Sequence, residues 1–165
     1  MAGSRQILAA TTDAPARPGC YNEDMLILAI PGSPPQPRLR VLVAEGLPLV
    51  RALLRDLLTA QPGVRVVGEA TTTGELLAQT RRLTPDLVLL DWALGGLGTL
   101  QTLRALDSAP AVIVLTAGAD PEYCTAVLAH GGAACLPREH LYRLLPPALR
   151  QVGETCGKGV PHDRS

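Results

Sequence analysis

Glu45, Asp91, Thr116 and Arg138 are far apart in the chain, yet each sits at or just past the C-terminal end of a short apolar run. If those runs are strands of one parallel sheet, their ends share an edge, and two carboxylates, a hydroxyl and a guanidinium converge on one pocket. A strand-terminal carboxylate such as Asp91 can act as a nucleophile towards an anionic group only after its charge is neutralised. The hydroxyl of Thr116 and the fork of Arg138 are suited to the oxygens of such a group. Each residue also has a plain structural reading. Asp91 would cap a loop, Glu45 would be a solvated loop residue, Thr116 would end a strand, and Arg138 would pair permanently with Asp91 or Glu45.

The elements that must position these groups are legible as an alternation. Apolar runs at Leu39–Ala44, Val64–Glu69, Asp86–Asp91, Ala111–Thr116 and Ala133–Leu136 are each followed by an amphipathic stretch, the order of a doubly wound α/β fold. The first, third and fourth runs are almost wholly apolar, as central parallel strands covered on both faces must be. A first helix opens at Pro48 and sets Leu49, Val50, Leu53, Leu54, Leu57 and Leu58 on one stripe, with Arg51, Arg55 and Asp56 outward. A second spans about 72–83 and a third about 99–106. A fourth starts at Asp120-Pro121-Glu122, a cap followed by first-turn proline. The fifth carries Leu141, Leu144, Leu145, Ala148, Leu149 and Val152 on one face. Pro146-Pro147 is expected to kink or split it, at about 3 kcal/mol relative to a regular helix.

Composition bounds the function. The chain has 165 residues, 15 Lys+Arg against 15 Asp+Glu, 47% hydrophobic and 18% charged residues. That balance suits a single packed domain and disfavours direct nucleic-acid binding or attachment to a membrane surface. The apolar content is aliphatic, because Phe is absent and aromatics make up 2%. The only lysine is Lys158. Pro15, Pro18, Pro31, Pro34, Pro35 and Pro37 crowd residues 1–38, read here as a flexible leader in which Met25 is an alternative start. Residues 39–152 are then the domain and 153–165 a disordered tail. The apolar run Met25–Ile30 is far shorter than the roughly 20 residues a membrane span needs. Cys20, Cys124, Cys135 and Cys156 follow no C-x-x-C spacing and read as reduced thiols in a cytoplasmic chain. With His130 and His140 they match no zinc pattern. Nucleotide-binding and hydrolase motifs are absent.

The runs Val41-Leu-Val-Ala-Glu45-Gly-Leu-Pro-Leu-Val50-Arg51, Val66-Val-Gly-Glu-Ala70, Pro85-Asp-Leu-Val-Leu-Leu-Asp91 and Val112-Ile-Val-Leu-Thr-Ala117 resemble the receiver domain of bacterial response regulators. They look most like the subgroup that precedes LuxR-type (NarL-type) DNA-binding domains. The resemblance covers about residues 39–152. It implies a CheY-like, flavodoxin-like fold with strand order 2-1-3-4-5. It also implies a non-enzymatic signalling role in a two-component phosphorelay, with Asp91 as phospho-acceptor from a sensor histidine kinase. By the same pattern Mg²⁺ would be held by Glu45, Asp91 and the carbonyl of Ala93. Thr116 and Arg138 would contact phosphoryl oxygens, and Ala117 would leave them room. Output would pass to a protein partner or a second copy through the face of helix four, strand five and helix five.

The departures from that pattern are specific. Gly46 stands where receivers carry a second acid, which weakens the expected metal site. Arg138 replaces a lysine and is a bulkier, always-charged fork. Leu94-Gly95 replaces Met-Pro, Thr99 replaces a helix-opening glycine, and segment 95–98 reads as mobile. The aromatic position of strand five holds Cys135. These changes motivate a second reading, a phosphorylation-independent pseudo-receiver that serves as an interaction or dimerisation module. A flavodoxin-like cofactor carrier is disfavoured, because Glu45-Gly46-Leu47-Pro48 replaces the hydroxyl-rich phosphate loop that such a protein needs.

Overall fold

The computed structural model describes residues 39–118 and 120–157. The proline-rich leader, its Met25 and the last eight residues of the expected tail lie outside the described residues. Five strands, β1 (Leu39–Ala44), β2 (Val64–Ala70), β3 (Leu87–Asp91), β4 (Ala111–Thr116) and β5 (Ala134–Pro137), form one parallel sheet in the order β2-β1-β3-β4-β5. Five helices connect or follow them: α1 (Pro48–Thr59), α2 (Thr73–Leu83), α3 (Gly96–Arg104), α4 (Pro121–Ala129) and α5 (Leu141–Gly157). The doubly wound α/β architecture expected from the alternation is therefore found, with the flavodoxin-like strand order that the resemblance implies.

Alternate residues of the central strands feed two apolar layers, as the period of two requires. Val41, Val43, Leu87, Leu89, Ile113 and Leu115 pack with Leu54 and Leu58 of α1 and with Leu141, Leu145 and Leu149 of α5. Leu42, Ala44, Val88, Leu90, Val112 and Val114 pack on the other face with Leu76 of α2, Leu100 and Leu103 of α3, and Val127 of α4. The β1–β2 ladder slips between Val41 and Leu42, whose partners are Val66 and Gly68, so Val67 is the extra residue of a bulge. Glycine is required beside it. A Cβ on Gly68 would lie 2.5 Å from Gln79 Oε1 and 2.9 Å from Leu83 Cδ1, both on α2.

Several boundaries differ from expectation. Leu49 is not on the apolar stripe of α1 but 86% exposed, because it precedes the turn at which the helix meets the sheet. Helix α3 begins at Gly96 rather than near Thr99, so Gly96–Gly98 form helical backbone instead of a loop. Gly95 enters it with φ of 100°, a left-handed conformation natural to glycine. Helix α5 runs unbroken through Pro146 and Pro147. The carbonyls those prolines leave without an amide donor belong to Tyr142 and Arg143, two exposed residues whose backbone water can reach. The same helix continues to Gly157, so residues 153–157 are helical rather than a disordered tail.

Two of the cysteines also depart from the expected reduced state. Cys124 of α4 and Cys135 of β5 form a disulfide, with their Cα atoms 5.3 Å apart. The return of the chain from α4 into the adjacent strand brings residues eleven apart in sequence into register, which no C-x-x-C rule anticipates.

Candidate functional site

Strands β1, β3, β4 and β5 deliver Glu45, Asp91, Thr116 and Arg138 to the C-terminal edge of the sheet. The site opens where the order reverses between β1 and β3. The turn after β1 is built around Glu45. Its Oε1 accepts from the Leu47 amide at 2.9 Å, and its carbonyl accepts from Arg51 Nη1 at 3.0 Å. Proline at the head of α1 needs no amide partner, so the turn closes without a side-chain cap on Leu47. After β3, the Ala93 amide donates to Asp91 Oδ1 at 3.1 Å. The Leu94 carbonyl accepts from Thr99 Oγ1 at 2.7 Å and Thr73 Oγ1 at 3.1 Å, which fixes the loop behind the carboxylate.

Arg138 spans the two acids. Its Nη2 lies 2.7 Å from Glu45 Oε2 and 2.6 Å from Asp91 Oδ1. Glu45 is fully buried and Asp91 is 5% exposed, and besides one backbone amide each the two carboxylates share that single guanidinium. Arg138 Nε is itself buried without a hydrogen-bond partner. Burial above all pushes the Glu45 carboxyl above its ordinary range, and neighbouring Asp91 adds to the rise; the Leu47 amide and Arg138 pull the other way. Thr116 is buried at the end of β4, and its hydroxyl donates to the Gly118 carbonyl at 2.8 Å. The two groups expected to receive an anion's oxygens are thus both engaged within the protein.

Glu45, Asp91 and Arg138 meet at the edge where the sequence places them, whereas Arg51, expected on the outer face of α1, does not face outward. Arg51 is instead a second clamp on the site. Besides holding the Glu45 carbonyl, its Nε pairs with Glu69 of β2 at 3.1 Å, and Arg55 pairs with the same carboxylate at 2.6 Å. The signal was present in Glu69, an acid near the C-terminal end of the strand next to β1. Ala93, expected to offer a carbonyl to a metal, meets Asp91 through its amide. Trp92 lies half-buried beside Asp91 with its ring centroid 5.2 Å from that of Tyr123 on α4.

The family model described as the response regulator receiver domain matches residues 41–144. Protein-glutamate methylesterase/protein-glutamine glutaminase 5 of Myxococcus xanthus (strain DK1622) is 35% identical over 129 residues, which are 72% of this chain and 37% of that protein. Transcriptional regulatory protein LiaR of Bacillus subtilis (strain 168) is 32% identical over 127 residues, 74% of this chain and 58% of the relative. Among solved structures, a two-component response regulator of the LuxR family from Aurantimonas sp. SI85-9A1 superposes with a TM-score of 0.67 at 25% identity, covering 72% of this chain and 86% of that one. The chain therefore spans well under two thirds of these two curated relatives. Among the described residues no helix is long and apolar enough to cross a membrane.

Receiver domains typically bind Mg²⁺ at their phosphorylation site. The donor set here does not fit that ion, which needs several oxygens at about 2.1 Å in octahedral array. Glu45 and Asp91 are the two acids at the site, and a guanidinium nitrogen already lies within hydrogen-bond distance of both. Position 46 supplies no side-chain carboxylate, although there is room for one, since a Cβ on Gly46 would have only the Thr71 carbonyl near it, at 3.9 Å. The double change Gly46→Asp with Arg138→Lys is accordingly expected to bind Mg²⁺ at least roughly tenfold more tightly than the parent chain, with Gly46→Asp alone gaining much less. Titration followed by Trp92 fluorescence checks this; equal gains in the single and double variants would show that Arg138 does not compete with the ion.

Proposed function

Because the chain belongs to the response regulator receiver family, we propose that it serves two-component signalling as a receiver whose acceptor site is permanently neutralised by its own Arg138. Its output is then contact with a protein partner, independent of phosphoryl transfer to Asp91. The observation that carries this reading is the pairing of one guanidinium nitrogen with both acids, Glu45 and Asp91. In a phospho-accepting site those acids face a divalent cation, and a basic residue becomes available to the incoming phosphoryl oxygens. Here the basic residue is consumed at rest. The Thr116 hydroxyl is consumed as well, by the Gly118 carbonyl. The reading also assigns the chain no catalytic activity of its own, a histidine kinase or other signalling protein as the natural class of partner, and a cytoplasmic location. The α4–β5–α5 face is the surface for such a partner or a second copy, and direct nucleic-acid binding has no part in it.

Phospho-acceptance at Asp91 remains the second reading, favoured by one observation. Both the Arg138 contact and the Ala93 amide bond use Oδ1, which leaves Oδ2 outside the ion pair. Incubation with Mg²⁺ and acetyl phosphate, or with beryllofluoride, separates the two. Intact-mass measurement and Trp92 emission are expected to stay unchanged. Gain of one phosphoryl group that disappears in Asp91→Asn would overturn the neutralised-site reading in favour of the second.

A further inference from the structure

We propose that the Cys124–Cys135 bond is a redox-addressable clamp, opened by a dithiol reductant, that controls the freedom of α4 relative to the sheet. Helix α4 is nine residues long and its only buried residue is Val127, so apolar packing alone holds it weakly. Tyr123 and Leu128 of the same helix are about half exposed. The strand on which it is tethered, β5, is four residues long and lies at the edge of the sheet. The connection between them turns through Gly131, with φ of 86°, and the Gly132 amide bonded to the Val127 carbonyl. A covalent bond across so short and weakly buried a unit therefore supplies a large share of what keeps α4 in place.

The location makes the bond accessible and consequential. Both cysteines are half-buried rather than sealed in the core, and Cys124 is flanked by exposed Tyr123 and Thr125. Three residues beyond Cys135 the chain reaches Arg138, and Tyr123 next to Cys124 sets its ring, tilted by 41°, with its centroid 5.2 Å from that of Trp92, the neighbour of Asp91. Opening the bond would thus release a helix that touches the rim of the site while leaving β1, β3 and β4 untouched. In the reaction, a thiolate of the reductant attacks one Sγ. The Sγ–Sγ bond breaks and its electron pair leaves on the other cysteine, which takes a proton. The reductant's second thiolate then attacks the mixed disulfide, the remaining cysteine leaves and is protonated, and the reductant departs as its own disulfide. Two electrons and two protons are transferred in all. Cys156 at the end of α5 is an exposed free thiol outside this pair and serves as an internal control.

The test uses the full chain, oxidised with glutathione disulfide and then treated or not with dithiothreitol. Alkylation under denaturing conditions and peptide mapping should find Cys124 and Cys135 blocked before reduction and labelled after it. Amide exchange across residues 121–129 should quicken by roughly tenfold or more on reduction, with β1, β3 and β4 unchanged. Trp92 emission should shift in parallel. Cys135→Ser is expected to show the reduced behaviour without reductant; Cys124→Ala, at a half-exposed helical position, provides the same test should Cys135→Ser fold poorly. Cys156→Ser should respond as the parent does. Labelling of Cys124 and Cys135 in the oxidised sample, or an opened bond with unchanged exchange in α4, would overturn the proposal.

Discussion

Replacing Arg138 with methionine is expected to lower folding stability by about 2–4 kcal/mol at neutral pH, the range for removing one partner from a buried ion pair, reduced because this side chain is 22% exposed. The methionine keeps most of the aliphatic stem, so the loss falls on the charges. Glu45 and Asp91 would be left as adjacent carboxylates with no cation between them. The cost should shrink on acidification. The folded-state pKa of Glu45 is already raised above 4.5, so its contribution is favourable below that pH and is lost as pH rises through the folded value. Without Arg138, the guanidinium no longer opposes that rise, and the interval over which stability falls extends upward. Urea unfolding of parent and variant at pH 7 and at pH 4 reads both effects. Equal stability at pH 7 would mean that the three-residue cluster contributes nothing and that the ion pairs are incidental.

The cluster illustrates where sequence reading succeeds in this chain and where it stops. The alternation of apolar runs with amphipathic segments placed all five strands within one or two residues, because each run is long enough to cross a covered parallel sheet and too short to be anything else. It also placed Glu45, Asp91, Thr116 and Arg138 at one edge, since strand ends in such a sheet share an edge by construction. What it could not supply was partner choice. Whether Arg138 pairs with Asp91, with Glu45 or with solvent depends on sub-ångström positions at the ends of three strands. The geometry that resolves it puts one nitrogen on both acids. Arg51 was lost for a related reason. A helical-wheel argument knows only the helix, whereas Glu69 and the Glu45 carbonyl belong to β2 and the turn after β1. Cys124 and Cys135 are neighbours only once α4 has turned back into β5.

The glycines after Asp91 show a local pattern misread for want of context. Gly95-Gly96-Leu97-Gly98 has poor intrinsic helix propensity, and propensity alone makes it a loop. Two hydroxyls override that preference. Thr99 and Thr73 both donate to the Leu94 carbonyl, and the left-handed Gly95 then turns the chain directly into α3. The same two bonds fix the loop that carries Trp92 and Ala93 past the site, so the substitution of threonine at position 99 is tied to the positioning of Asp91 as well as to the helix start.

Leu89→Ala should produce the largest loss of stability among single truncations near the site, about 3–5 kcal/mol. Leu89 is fully buried in β3, the middle strand of the sheet, and packs into the layer formed by Leu54 and Leu58 of α1 and Leu145 and Leu149 of α5. Its neighbours cannot easily close on the space left behind. On either side β3 is hydrogen-bonded to β1 and β4 over the residues flanking Leu89, which fixes the backbone, and the surrounding side chains are branched aliphatics with few alternative rotamers. The chain contains no Phe whose ring could swing in to fill the gap. Against a typical domain stability of about 5–15 kcal/mol, such a loss brings the protein close to its unfolding threshold at ordinary temperatures. The ion pairs of Asp91 should persist in the folded fraction, because the ladder that places Asp91 opposite Leu115 is untouched. Leu49→Ala provides the contrast: that side chain is 86% exposed, and its truncation should change stability by no more than about 0.5 kcal/mol. Denaturant unfolding followed by Trp92 emission measures both variants in one assay. A cost below about 1 kcal/mol for Leu89→Ala would mean that α1 or α5 can shift onto the sheet, and that the aliphatic layer under the site is far more compliant than its packing implies.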